Sequence, residues 1–200
     1  MFMDAKTGQL HARRSTIRWR AWLFGAAVFP GLLAAAVANA NSLDDHVCTN
    51  TADEPTGLIA TTPSSDFEVV GNVENGIVRH LRTGLEWRRC PLGSTFSEGE
   101  CDRRFSSVDW QDALQAAEAE GDGWRVPNVN ELISIVEECT TSPAVNEVVF
   151  PATAVQLWTS TTGLEFGAGF AVTVDFSSSG SDQQRDKTQR GATMLVRNAR

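Results

Sequence analysis

The run Gly123-Trp124-Arg125-Val126-Pro127-Asn128 limits what this chain can fold into more than any other stretch. Proline fixes its own φ, has no N–H, and pushes the residue before it into extended backbone, so Arg125-Val126 cannot continue a helix. Trp124 carries a large apolar surface that favours burial. Asn128 is a helix N-cap residue, and Glu131 three positions on completes a capping-box pattern. Leu132, Ile133, Ile135 and Val136 then supply an apolar face. The spacing predicts a buried, extended corner feeding a helix over 129–138. Arg125, between Trp124 and Val126, is expected to be half-buried and paired with a carboxylate.

The first forty residues read as a secretory signal peptide. Arg13, Arg14, Arg18 and Arg20 form a basic region, residues 21–37 are apolar and alanine-rich, and Ala38-Asn39-Ala40 is a small-x-small cleavage pattern. The apolar run is short and is interrupted by Pro30-Gly31, which disfavours the alternative of an uncleaved N-terminal anchor. Cleavage after Ala40 removes five basic residues and one acidic one. The mature part then holds 12 basic and 24 acidic residues, a net charge of −12, with Lys187 its only lysine. Such a charge opposes nucleic acid and anionic surfaces at long range. No membrane span is expected after the signal is removed, and the expected location is periplasmic or secreted. Residues 41–65 read as a polar lead-in segment and 66–200 as one domain.

Four cysteines remain, an even number in an oxidising compartment, so two disulfides are expected. Three pairings are open. Cys90 and Cys101 close a short loop with Pro91, Gly93 and Gly99, which favours a local bridge and leaves Cys48 for Cys139. A metal site is disfavoured because CxxC spacing and neighbouring histidines are lacking.

Residues 67–89 read as a β meander. Asn75-Gly76 and Arg82-Thr83-Gly84 are its turns, and Leu85-Glu86-Trp87-Arg88 alternates as a half-buried strand should. A helix is predicted from Ser107 to Glu120, capped by Ser106 or Ser107. Its face is Trp110, Ala113, Leu114 and Ala117, and Gly121 ends it. Asp112, Glu118 and Glu120 make a solvated outer face. Leu157 to Ser160 and Phe170 to Phe176 are strands. Residues 177–181 are a turn, 182–190 an exposed polar loop, and Met194 to Arg197 a closing strand. Strands, two helices and strands again define an α+β domain, with both helices against an antiparallel sheet.

These motifs resemble the bacterial Lcl C-terminal domain family. The residues that carry the resemblance are Thr62 to Phe67, Gly76 to Val78, Thr83 to Cys90, Cys101, Trp110 to Leu114, Gly123 to Glu131, Ser142 to Asn146, Phe150-Pro151, Leu157 to Ser160 and Val196-Arg197. Glu74-Asn75-Gly76 stands where an aspartate-glycine turn is usual, Phe96 where tryptophan is common, and Val126 where leucine is. The resemblance implies a C-type-lectin-like fold, akin also to that of the formylglycine-generating enzymes, with Trp87, Trp110, Trp124, Arg125, Pro127, Asn128, Glu131 and Trp158 as structural motif residues. It brings no catalytic residues. The reactive cysteines of formylglycine-generating enzymes lie late in the chain, and no cysteine follows Cys139 here.

The mature histidines are His46 and His80, and nothing in the sequence sets a serine and a carboxylate around either, so no nucleophilic triad is expected. Asp175, Asp182, Gln183 and Asp186 are the donors a calcium site would use, but no sugar-binding triplet accompanies them, and an exposed loop is the better reading. The tryptophans are expected in the core rather than stacked on sugars. No cofactor is expected. The reading that results is an exported, non-catalytic binding module of the envelope or surface, for a glycan or a protein. The alternatives are a loop-built enzyme on the same fold and a structural envelope protein.

Overall fold

The structure is a computed structural model. It describes residues 58–200 together with Leu43 and Cys48, leaving out 73–74, 103, 152, 154 and 164. The expected signal peptide with its expected cleavage point, most of the 41–65 segment and His46 lie outside the described residues.

A 3-10 turn at Ser64–Asp66 leads into β1 (Phe67–Val69), β2 (Ile77–His80) and β3 (Leu85–Arg88), then β4 (Phe96–Ser97) and β5 (Glu100–Cys101). Helices α1 (Trp110–Ala119) and α2 (Val129–Ile133) follow, then β6 (Gln156–Thr162), β7 (Phe170–Asp175), β8 (Ser181–Asp186) and β9 (Val196–Asn198). The fold is α+β, but the strands divide between sheets instead of forming the single one expected. One sheet has the order β1-β2-β3-β9, another β6-β7-β8, and β4-β5 is a hairpin, with every pairing antiparallel. Phe67, His80, Leu85 and Asn198 face one another in a single row across the first sheet. The chain therefore enters β1 and leaves β9 at the same end of that sheet.

The division follows from the two faces of β6 and β7. Successive strand residues point to opposite sides, and here both sides are apolar. Leu157, Val174 and Phe176 join Phe67, Val78, Trp87, Leu132, Ile135, Phe150 and Met194 in one core. Trp158 and Ala171 join Leu92, Ala113, Ala117, Trp124, Val126 and Leu195 in the other. A sheet with apolar groups on both faces is a partition and cannot lie open to water on either.

Both helices differ from expectation at their ends. The α1 cap is Asp109, whose carboxylate accepts from the Asp112 N–H at 2.9 Å, so the helix starts at Trp110 and not at Ser107. Gly121, at φ +66°, ends it as predicted. The α2 helix has five residues and stops at Ile133, where an apolar run to 138 was expected to continue it. Beyond it, Val136 bridges Val145 and the Glu137 N–H donates to the Ala144 carbonyl, so non-local pairing claims the backbone. Ile133 is left 43 % exposed, while Leu132 and Ile135 are buried. Residues 181–186, expected as the end of a turn and the start of an exposed loop, form β8, an edge strand too polar to show an apolar period.

Cys48 pairs with Cys139 and Cys90 with Cys101, the favoured arrangement. The end of the lead-in is pinned beside the first bridge. Thr61 and Thr62 each donate both N–H and hydroxyl to the fully buried Glu137 carboxylate at 2.9 Å, and the Cys139 N–H adds to them at 3.1 Å. Burial works to raise the Glu137 carboxyl, but these donors outweigh it and hold the group below the usual carboxylate range. Glu137→Gln replaces a charged acceptor with an amide that must turn N–H groups toward donors. It is expected to cost about 2–3 kcal/mol in urea denaturation at neutral pH. An unchanged midpoint would contradict this role.

His80 is the other buried ionisable group of this region. It is 1 % exposed, stacks on Phe67 at 4.7 Å, and neither ring nitrogen has a hydrogen-bond partner among the described residues. Burial, and then the Arg82 guanidinium, push the imidazole below its ordinary range against a weaker pull from Asp66. The unfolded chain, titrating near 6.5, therefore takes up the proton first. Stability is full above that pH and falls below it, with a slope of up to about 1.4 kcal/mol per pH unit. His80→Phe keeps the stack and removes the titration. Thermal melts from pH 7 to 5 should show a flatter dependence for the variant, and parallel curves would refute it.

Candidate functional site

The corner that dominates the sequence proves to be a joint. Arg125 and Val196 exchange backbone hydrogen bonds at 3.0 Å, and the Pro127 carbonyl accepts from Ser160 at 2.8 Å, so the corner ties β9 to β6. The Arg125 guanidinium grips both Glu131 oxygens, at 2.6 and 2.7 Å. Glu131 also accepts from the Asn128 N–H at 2.8 Å while Asn128 accepts from the Glu131 N–H at 2.9 Å, a complete capping box. Burial opposes ionisation of Glu131, yet Arg125 and Asn128 keep its carboxyl below the ordinary range.

The motif tryptophans do not converge on one site. Trp87 and Trp158 are fully buried and Trp124 nearly so, in two different cores. Trp110 is only half-buried, contrary to a core position. Its indole N–H donates to the Thr159 carbonyl at 2.8 Å, and the Lys187 ammonium lies 4.0 Å from its ring.

Other charged groups, unremarked in the sequence, also act as ties. Glu86 was expected on the open side of a half-buried strand but is 1 % exposed, held by Arg79 at 2.8 Å and Arg197 at 2.9 Å. Burial works to raise its carboxyl, and the two arginines bring it below the usual range. Arg89, its guanidinium pushed down to about 10 by burial, donates to the Val149 and Val148 carbonyls at 2.8 and 2.7 Å and lies 4.1 Å from the Phe96 ring. His80 is stacked on Phe67 in the core.

A cluster of polar and aromatic side chains lies around β8. Here a shallow groove of about 540 Å³ is lined by Gln156, Phe170, Gln183, Gln184, Arg185 and Asp186, with Gln189 at its end. Phe166, 65 % exposed, stands beside Phe170 with ring centres 5.5 Å apart. Gln184 fixes this aromatic pair, accepting from the Phe166 N–H at 3.4 Å and donating to Glu165 at 3.0 Å. Arg185 donates to Gln189 and Gln156 at 2.9 Å and to the Arg190 carbonyl at 2.6 Å, above the Trp158 ring. Lys187 donates to the Ala168 carbonyl at 2.9 Å. Arg190 donates to the Ser107 carbonyl.

Among the described residues, cations without an ion-pair partner occur near β8, as at the exposed Arg104 elsewhere. Arg79, Arg82, Arg88, Arg125, Arg197 and Arg200 each have a carboxylate within 4.0 Å. Among the described residues, Arg185, Lys187 and Arg190 have none. Planar amides, guanidinium groups and an open aromatic face are the groups that hold ring hydroxyls and bound anions. The sequence signal was the glutamine- and arginine-rich run at 183–190, which hid as a loop.

The proposed calcium donors do not assemble. Asp175 and Ser181 pair at one end of the β7-β8 hairpin and Asp186 faces Phe170 at the other. Asp175 accepts from Ser177, Asp186 from Thr188, and Gln183 from Gln156. Cys48, Cys139 and Glu137 are the one clustered donor set among the described residues, and its sulfurs are bonded to each other.

What the geometry defines is a disulfide-stapled α+β domain with a polar groove along an edge strand. A family model, the Lcl C-terminal domain, matches residues 76–197, and the chain belongs to that family. No curated protein matches the chain. Among the described residues, no helix is long and apolar enough to cross a membrane.

Glu131→Ala removes the bidentate partner of Arg125 and half of the capping box together. A loss of about 1–3 kcal/mol is expected from denaturation curves. Arg125→Met in the same background should then cost less than it does alone, since its partner is already gone.

Proposed function

We propose that this domain is an exported, non-catalytic recognition module of the bacterial envelope, and that its ligand is a glycan held in the β8 groove. The observation that carries the reading is the Phe166–Phe170 pair set beside Gln183, Gln184 and Arg185. An exposed aromatic face accepts the apolar side of a sugar ring, and planar amides and guanidinium groups match vicinal hydroxyls. Arg185, Lys187 and Arg190, with no carboxylate within 4.0 Å among the described residues, favour glycans that carry acidic groups, a local attraction working against the net negative charge of the chain.

The supporting context is coarser. Two disulfides suit an oxidising compartment, and the N-terminal region carries the pattern of a cleavable signal. The corner at Trp124, the Trp158 strand and the shared sheet of the first and last strands favour a C-type-lectin-like reading of the fold.

A second reading has its own observation. β8 is a free sheet edge, and such edges accept an added strand from a partner protein. That ligand would be an extended segment of an envelope protein.

A glycan array probed with the purified chain separates them. Binding of specific glycans that weakens about tenfold or more in Phe166→Ala, with the melting temperature unchanged, is the expected result. An array without signal, together with capture of one envelope protein, would replace the first reading by the second.

A further inference from the structure

A second opening lies apart from the β8 groove. The Cys90–Cys101 bridge folds the segment after β3 back on itself. Gly76, at φ +59°, lies so near Phe96 that a side chain there would put its Cβ 2.6 Å from the Phe96 Cβ. Between this loop and the end of α1 is a cleft of about 250 Å³. Among its lining residues Phe96 is a half-buried apolar one, with Leu92 and Leu195 almost fully buried beside the polar groups. Its charged groups are Arg88, the last residue of β3, and Glu120, the C-cap of α1.

These two charges are poorly used. They meet through one long contact of 3.4 Å, and their side chains are 37 % and 40 % exposed. An ion pair in that setting contributes little to stability. The Arg88 Nε has no hydrogen-bond partner among the described residues, and the guanidinium rests 5.0 Å from the Trp124 ring. A ligand that offers a carboxylate to Arg88 and an ammonium to Glu120 would exchange one loose contact for two charge-assisted hydrogen bonds. A simple anion would leave its charge beside Glu120, and a simple cation would face Arg88, so the pair discriminates against both. The volume lies just under the usual range of about 300–1,000 Å³ for small-molecule sites, which suits one residue and not a peptide.

We propose that this cleft binds a free α-amino acid with an apolar side chain. Its α-carboxylate accepts from the Arg88 guanidinium, its ammonium donates to the Glu120 carboxylate, and its side chain lies on Phe96, Leu92 and Leu195.

Calorimetric titration of the purified chain with leucine, N-acetyl-leucine and leucine amide tests this. Leucine should bind saturably in the micromolar to low millimolar range, and each capped analogue about tenfold more weakly or worse. Amide NMR shifts on titration should centre on Gly76, Phe96 and Leu195. Glu120→Gln, at an exposed helix end, should abolish the preference for leucine over N-acetyl-leucine without altering the melting temperature. Arg88→Gln should abolish that over leucine amide. No saturation with leucine up to ~10 mM, N-acetyl-leucine bound as well as leucine, or shifts centred elsewhere would each overturn the proposal.

Discussion

The β6-β7 pairing carries the architecture, because both of its faces are apolar. Leu157 and Val174 commit one side to the core built on Trp87 and Phe150, and Trp158 and Ala171 commit the other to the core built on Trp124 and α1. Each core needs its own cover. The four-stranded sheet and α2 supply one, and α1 with the loop after β3 supplies the other. The corner at residues 124–128 is where the two covers must meet, which is why its backbone pairs with β9 on one side and β6 on the other. A fully buried aromatic at such a junction contributes on the order of 1.5–3 kcal/mol, and Trp87 and Trp158 are both fully buried.

Charge is used in the same way, as fastening. Glu86 and Glu137 draw donors from segments far away in sequence, Glu131 from Arg125 and Asn128 close by, and in each case these donors hold the carboxyl below its usual range. Arg89 fastens β3 to the 148–149 backbone with no carboxylate involved. Near β8, Arg185, Lys187 and Arg190 likewise have no carboxylate within 4.0 Å among the described residues.

Local rules made part of this legible. The capping box, the meander turns, the Gly121 stop and the short cysteine loop each depend on residues within a few positions of one another, and each reads directly from the chain. The pairing of Arg125 with a carboxylate followed from a guanidinium placed between two apolar neighbours. What stayed hidden depended on distant partners. Val136 looks helical until Val145 is beside it, and Glu86 looks exposed until Arg197 arrives from the far end of the chain. Residues 181–186 lack an apolar period because an edge strand need bury neither face fully, so the groove they line was read as a loop. The amino-terminal lead-in looked unstructured because its anchor, Glu137, lies 75 residues away from Thr62.

The row formed by Phe67, His80, Leu85 and Asn198 has a mechanical consequence. Entry and exit sit about 14 Å apart, three strand spacings at one end of a sheet, so a tug on both ends would peel hydrogen bonds one at a time instead of shearing them together. The Cys48–Cys139 crosslink diverts that load, since force arriving from upstream of Cys48 is handed to the segment after α2 before it can reach β1. Reduced, the same domain would open like a zipper from its first strand; oxidised, it can bear such a pull with that strand slack.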